Sequence, residues 1–121
     1  MSIPTRCHLW QKDNLVPEDL AKGTFEPLCS LMDESHLTRR LLKCAQCGQL
    51  YLHEFYEEMD WVTGKDSQYS TYIPVDTKEE AQNMSQMSPM EILQFSPRLQ
   101  CDFPQEVTTP LITWMGKESS T

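Results

Sequence analysis

Basic residues are scarce in this chain. Ten Lys and Arg face 18 Asp and Glu, and the formal net charge is −8 at pH 7. Phosphate-rich partners are held by basic patches, and the only tight basic group is Arg39, Arg40 and Lys43. That argues against nucleic acid as the main partner. Long apolar runs are lacking too. The longest are only a few residues, against the ~18 needed to span a bilayer, so no membrane segment is expected. Residues 1–10 contain no apolar core of a secretory signal, which points to the cytoplasm. Glycine occurs four times in 121 residues, and no phosphate-cradling loop or dinucleotide fingerprint can be found. Zinc-protease and calcium-loop patterns are absent as well, and nothing repeats at a fixed period.

What remains is ordinary globular material. The length suits a single domain, residues 1–121, and 39% of residues are hydrophobic. The acidity is spread evenly, with each half of the chain carrying −4, so it is not an appended tail. Pro17, two acids and Gly23 mark a one- to two-turn helix. Residues 25–32 form a mixed apolar segment broken by Pro27. Residues 37–43, 49–60 and 69–75 read as three consecutive strands. In the second, Leu50, Leu52, Glu54, Tyr56 and Glu58 share one parity. The other parity, with Tyr51, His53 and Phe55, is the more aromatic and is expected to meet the core in part. Thr77 with Glu80, and Ser88-Pro89 with Glu91, are capping boxes that open helices near 78–86 and 89–95. Met84, Met87 and Met90 sit at helical spacing as packing residues. Residues 98–110 read as loop, 107–115 as a strand suited to a sheet edge, and 116–121 as a frayed tail. The expected fold is therefore α+β, a small antiparallel sheet of three to four strands with two or three short helices.

Five cysteines stand at 7, 29, 44, 47 and 101. An odd number without a signal argues against a disulfide framework and favours metal binding, redox chemistry or plain buried thiols. The sharpest local signal is Cys44-Ala45-Gln46-Cys47-Gly48. Two thiolates with two residues between them can hold one ion, and the glycine permits the tight turn behind them. Lying between two expected strands, this turn resembles the knuckle of a zinc ribbon or rubredoxin-like module, with residues 37–60 as its hairpin. The resemblance implies a structural zinc ion with four ligands. Such modules carry a second Cys-x-x-Cys, which this chain lacks. At Cys7-His8-Leu9-Trp10, Trp10 stands where the second cysteine belongs. The remaining ligands must come from Cys7, His8, Cys29 and His36, and the favoured set is Cys7, Cys29, Cys44 and Cys47. Cys7 paired with its neighbour His8 is the poorer choice, because adjacent residues chelate one ion with difficulty. Cys101, among loop signals, is expected to be dispensable.

Glu54, Glu57, Glu58 and Asp60 make an acidic run beside Phe55, Tyr56 and Trp61. Carboxylates next to aromatics suit capture of a basic protein surface, with Trp61 as an anchor. No nucleophile, base and oxyanion stabiliser can be assembled, and a Ser35-His36 pair beside Asp33 is a turn signal rather than a triad. The resulting expectation is a non-enzymatic acidic protein that carries zinc and binds a basic protein partner, as an immunity or inhibitor protein against a basic toxin would. A nucleic-acid-associated zinc ribbon and a thiol redox protein are the alternatives.

Overall fold

The computed structural model describes residues 4–12, 14–21, 23–34, 36–58, 67–103 and 109–116. Six strands follow one another as an antiparallel meander: β1 (Phe25–Glu34), β2 (Leu37–Cys44), β3 (Leu50–Glu58), β4 (Ser67–Val75), β5 (Arg98–Phe103) and β6 (Leu111–Met115). A short helix α1 (His8–Gln11) and a 3-10 turn at Pro17–Leu20 precede the sheet. Helices α2 (Lys78–Met84) and α3 (Pro89–Ile92) lie between β4 and β5.

The sheet is larger than expected, six strands rather than three or four, and the fold is dominated by it. Two segments account for the difference. Residues 25–34 form a complete strand despite Pro27. β1 is an edge strand, where a missing N–H is tolerated, and its pairing with β2 shifts register between Pro27 and Cys29 and again between Ser30 and Met32. These two irregularities scramble the alternation of apolar residues along it. Residues 98–103, read as loop, form β5 and pair with β4 from Tyr72↔Leu99 to Gln68↔Phe103. Pro74 lies in β4 beyond that pairing, so its missing N–H interrupts no ladder on the β5 side.

Both faces of the sheet are covered. On one face Leu42, Cys44, Tyr51, Tyr72 and Leu99 pack with Cys7 and Leu9 of the N-terminal segment. Trp114 on β6 closes this layer. Its Nε1 donates to the Leu9 carbonyl at 2.8 Å, and its ring meets Trp10 edge-on at 4.9 Å. On the other face Leu41, Leu52, Ile73 and Val75 pack with Ala81, Met84 and Ile92 of the two helices. Strands buried on both sides lose the apolar–polar alternation of a half-wet sheet, which is why β2 reads as Leu-Leu with charges rather than as a clean period of two.

The helices begin where their caps require. Thr77 Oγ1 accepts from the Glu80 N–H at 3.1 Å. Ser88 and Glu91 exchange reciprocal bonds at 3.2 and 3.1 Å. Met84 is buried, Met87 half-buried, and Met90 79% exposed, so the methionines at helical spacing do not form one packed stripe. Among the described residues no helix is long and apolar enough to cross a membrane.

A buried ion pair joins the helical layer to the sheet. Arg39 on β2 has no exposed surface, and it faces Glu54 across the β2–β3 ladder. Its Nε and Nη2 lie 2.8 and 2.7 Å from Glu54 Oε2. Its Nη1 donates to the carbonyls of Ser85 and Met87 at 2.7 and 2.6 Å, the segment that links α2 to α3. Removing one member strands the other charge in a dry interior, which costs about 3–5 kcal/mol. Denaturant titration of Arg39→Met should show a loss of that size. Arg39→Met combined with Glu54→Leu should recover most of the loss, whereas equal losses in the single and double variants would show that the pair is not coupled.

Candidate metal centre

The Cys44 knuckle sits at the β2–β3 turn. Cys44 ends β2 opposite Phe25, and its N–H donates to the Gln49 carbonyl at 2.8 Å. The Gly48 N–H closes the turn onto the Cys44 carbonyl at 2.9 Å, and Gly48 adopts φ +81°, the left-handed region open to glycine. Ala45 N–H donates to Thr24 O at 3.0 Å, so the start of β1 braces the knuckle.

The second half of the cluster comes from the N-terminal segment. Cys7 caps α1 in an extended conformation, φ −79° and ψ 133°, and His8 is the first helical residue. That change of backbone conformation between neighbours brings two adjacent side chains to one side, which a strand would not do. Ligand atoms of Cys7, His8 and Cys44 all lie within 4.8 Å of one another. His8 Nδ1 is 3.7 Å from Cys44 Sγ. In a tetrahedral zinc site with ordinary Zn–N and Zn–S bonds that separation is about 3.6 Å. Cys47, exposed on the turn, reaches the Cys7 and Cys44 thiols with its own side chain. Cys7, His8, Cys44 and Cys47 therefore lie close together and can hold a metal ion.

The environment of the sulfurs is uneven. Burial pushes the Cys7 thiol up to about 12, although Tyr51 Oη donates to its Sγ at 3.0 Å. Burial also opposes ionisation of Cys44. There the backbone N–H groups of Cys47 and Gln46, with the Cys47 and Cys7 side chains, outweigh it and hold the thiol below its ordinary value. Burial and the Cys7 bond raise the Tyr51 hydroxyl so far that it stays a donor.

The expected set differs from this one at a single position. Cys29 stands on β1 opposite Leu41 and packs with Leu31 and Leu50 under the helices, on the far side of the sheet from Cys7 and Cys44. The first register shift, between Pro27 and Cys29, places it there. His36 is exposed at the β1–β2 turn. Cys101 lies in β5, half-buried, and burial raises its thiol.

The acidic run is also divided. Glu54 is buried and bound to Arg39, so it is not available to a partner, contrary to expectation. Glu57 accepts from Gln68 Nε2 at 3.3 Å, and Glu58 is exposed. Asp60 and Trp61 lie outside the described residues. Compared with known protein families, curated proteins and solved structures, the chain matches none.

A second polar feature lies on the same face of the sheet as Cys7 and Cys44. A cavity of about 280 Å³ is lined by Leu20, Gly23, Phe25, Arg40, His53 and Tyr72. His53 stacks on Tyr72 at 4.4 Å, and Tyr72 stacks on Phe25 at 5.1 Å. Burial, aided by the Arg40 charge, drives the His53 imidazole down to about 4. A histidine whose folded value is depressed stabilises the fold fully above its unfolded value near 6.5. That stability is lost as pH falls toward 4. The loss between pH 7 and pH 5 is about 2 kcal/mol from this group. The free energy of unfolding should fall from pH 7 to pH 5 by this much more in the wild type than in His53→Phe. Parallel curves for the two proteins would remove His53 as the source.

Proposed function

We propose that this is a non-enzymatic protein whose Cys7, His8, Cys44 and Cys47 hold a structural zinc ion, and whose acidic surface binds a basic protein partner. The observation that supports the zinc reading best is the convergence of three ligand atoms from residues 7, 8 and 44 within 4.8 Å, with Cys47 beside them. Thiolate and imidazole donors in a compact, four-ligand set suit zinc above the harder cations. Four protein ligands close the coordination sphere and leave no position for an activated water, so the ion's role is to fasten the N-terminal segment to the β2–β3 turn. Tyr51 donates to Cys7 Sγ and orients that ligand.

The partner reading rests on the charge of −8 and on exposed Glu58. The nucleic-acid alternative loses its basic group. Arg39 is consumed by Glu54, and alternation along β2 sends Arg40 and Lys43 to opposite faces. The redox alternative has Cys44 and Cys47 on a hairpin turn and not at the start of a helix, where a thiolate is best activated.

Elemental analysis of purified protein should find about one zinc per chain. Cys44→Ser and His8→Ala should lose it together with thermal stability, while Cys29→Ser and Cys101→Ser should keep it. Tyr51→Phe should retain zinc with affinity lowered by about tenfold or more in a chelator competition. Protein that is metal-free and as stable as the zinc-treated sample would overturn the reading, and zinc lost in Cys29→Ser but retained in His8→Ala would overturn the ligand set.

A further inference from the structure

The helices cover only part of their face of the sheet. Between α3 and strands β3 to β6 lies an open groove of about 500 Å³. Register brings Tyr56, Tyr69 and Asp102 into one row along its floor. Tyr56 pairs with Tyr69 and Tyr69 with Asp102, and beyond the groove lining the row continues to Leu111, which pairs with Asp102. The two tyrosine rings are 6.3 Å apart and inclined by only 26°. Met90, Leu93 and Met115 form apolar walls and are 79%, 44% and 41% exposed.

Asp102 is fixed at the centre of this row. It accepts from Gln100 Nε2 at 2.9 Å, and the same amide donates to Thr71 Oγ1 at 2.9 Å. Glu58, exposed, follows Tyr56 on the same face of β3. The groove's one lining cation, among the described residues, is Arg98. Its guanidinium is turned to Gln100 Oε1 and the Phe95 carbonyl, and its Cα lies about 13 Å along the strand from Asp102. A carboxylate beside two aromatic faces, with apolar walls leading to it, has the chemistry to receive a cation on an aliphatic stem. The ring faces attract the charge and the carboxylate accepts its N–H groups. A planar guanidinium meets both requirements better than an ammonium.

We propose that this groove receives an arginine-bearing segment of the basic partner, with the guanidinium between Asp102 and the Tyr56–Tyr69 pair and neighbouring apolar side chains on Met90, Leu93 and Met115. The inference rests on the basic-partner reading given above and places that partner on the sheet face opposite the metal ligands.

The probe is the blocked peptide acetyl-Leu-Arg-Leu-amide, titrated into zinc-loaded protein and followed by backbone amide shifts. Its counterpart carries citrulline, an uncharged isostere of arginine. The arginine peptide should shift amides of Tyr56, Tyr69 and Asp102 and bind about tenfold more tightly than the citrulline peptide. Asp102→Asn should abolish that preference with the zinc content unchanged, and Tyr56→Leu, at an exposed position, should reduce it if the Asn variant fails to fold. Added salt should weaken the arginine peptide and leave the citrulline peptide unaffected. Arginine-dependent shifts located elsewhere, or an undiminished preference in Asp102→Asn, would overturn the groove while leaving a basic partner in place. Equal binding of the two peptides, or none by either, would overturn both.

Discussion

A fully buried guanidinium is the constraint around which this fold is arranged. Arg39 can exist in the interior only if its nitrogens meet acceptors, and those acceptors come from two separate parts of the chain. Glu54 supplies the charge from the neighbouring strand, and the Ser85 and Met87 carbonyls come from the link between the two helices. The pair thus sets how far the helical layer slides along the sheet. Hydrophobic contacts between Ile73, Met84 and Ile92 are less directional and would permit several positions. Where α3 comes to rest in turn decides which part of that face remains open.

The two faces divide the work. One is sealed by the N-terminal segment, whose Cys7 and His8 meet the β2–β3 turn and whose Leu9 carbonyl is bound by Trp114. The other is sealed only halfway, by helices of seven and four residues. Helices this short have little intrinsic stability and hold their shape through capping and through the apolar side chains they bury. The proposed metal fastens the first layer, and the ion pair fastens the second.

Much of this was legible in local chemistry. The three central strands, both helices with their caps, the edge character of β6 and the glycine-ended knuckle all follow from period, capping and turn residues. What escaped was of three kinds. β5 has a clean alternation, Arg98, Gln100 and Asp102 against Leu99, Cys101 and Phe103, but it is six residues long and stands between Pro97 and Pro104, whose loop signals dominate a short window. β1 hides its alternation behind two register shifts, and those same shifts carry Cys29 to the face away from the cluster. Arg39 and Glu54 each look like surface charges in sequence, because a buried pair is a property of two strands in register and not of either strand alone. His8 was weighed down by its adjacency to Cys7, a rule that holds in extended chain and fails where a helix begins between the two.

The meander also has a kinetic side. Each strand pairs with its neighbour in sequence, with α2 and α3 lying between β4 and β5, so the strands can pair in the order the chain is made. The indole of Trp114 is the exception, since it binds a carbonyl 105 residues earlier. Closing so long a loop is entropically unfavourable until the intervening strands have already shortened the path. Loop-closure entropy therefore favours a late joining of β6 to the N-terminal segment. A nascent chain can assemble Cys7, His8, Cys44 and Cys47 well before β6 exists to lock α1 in place.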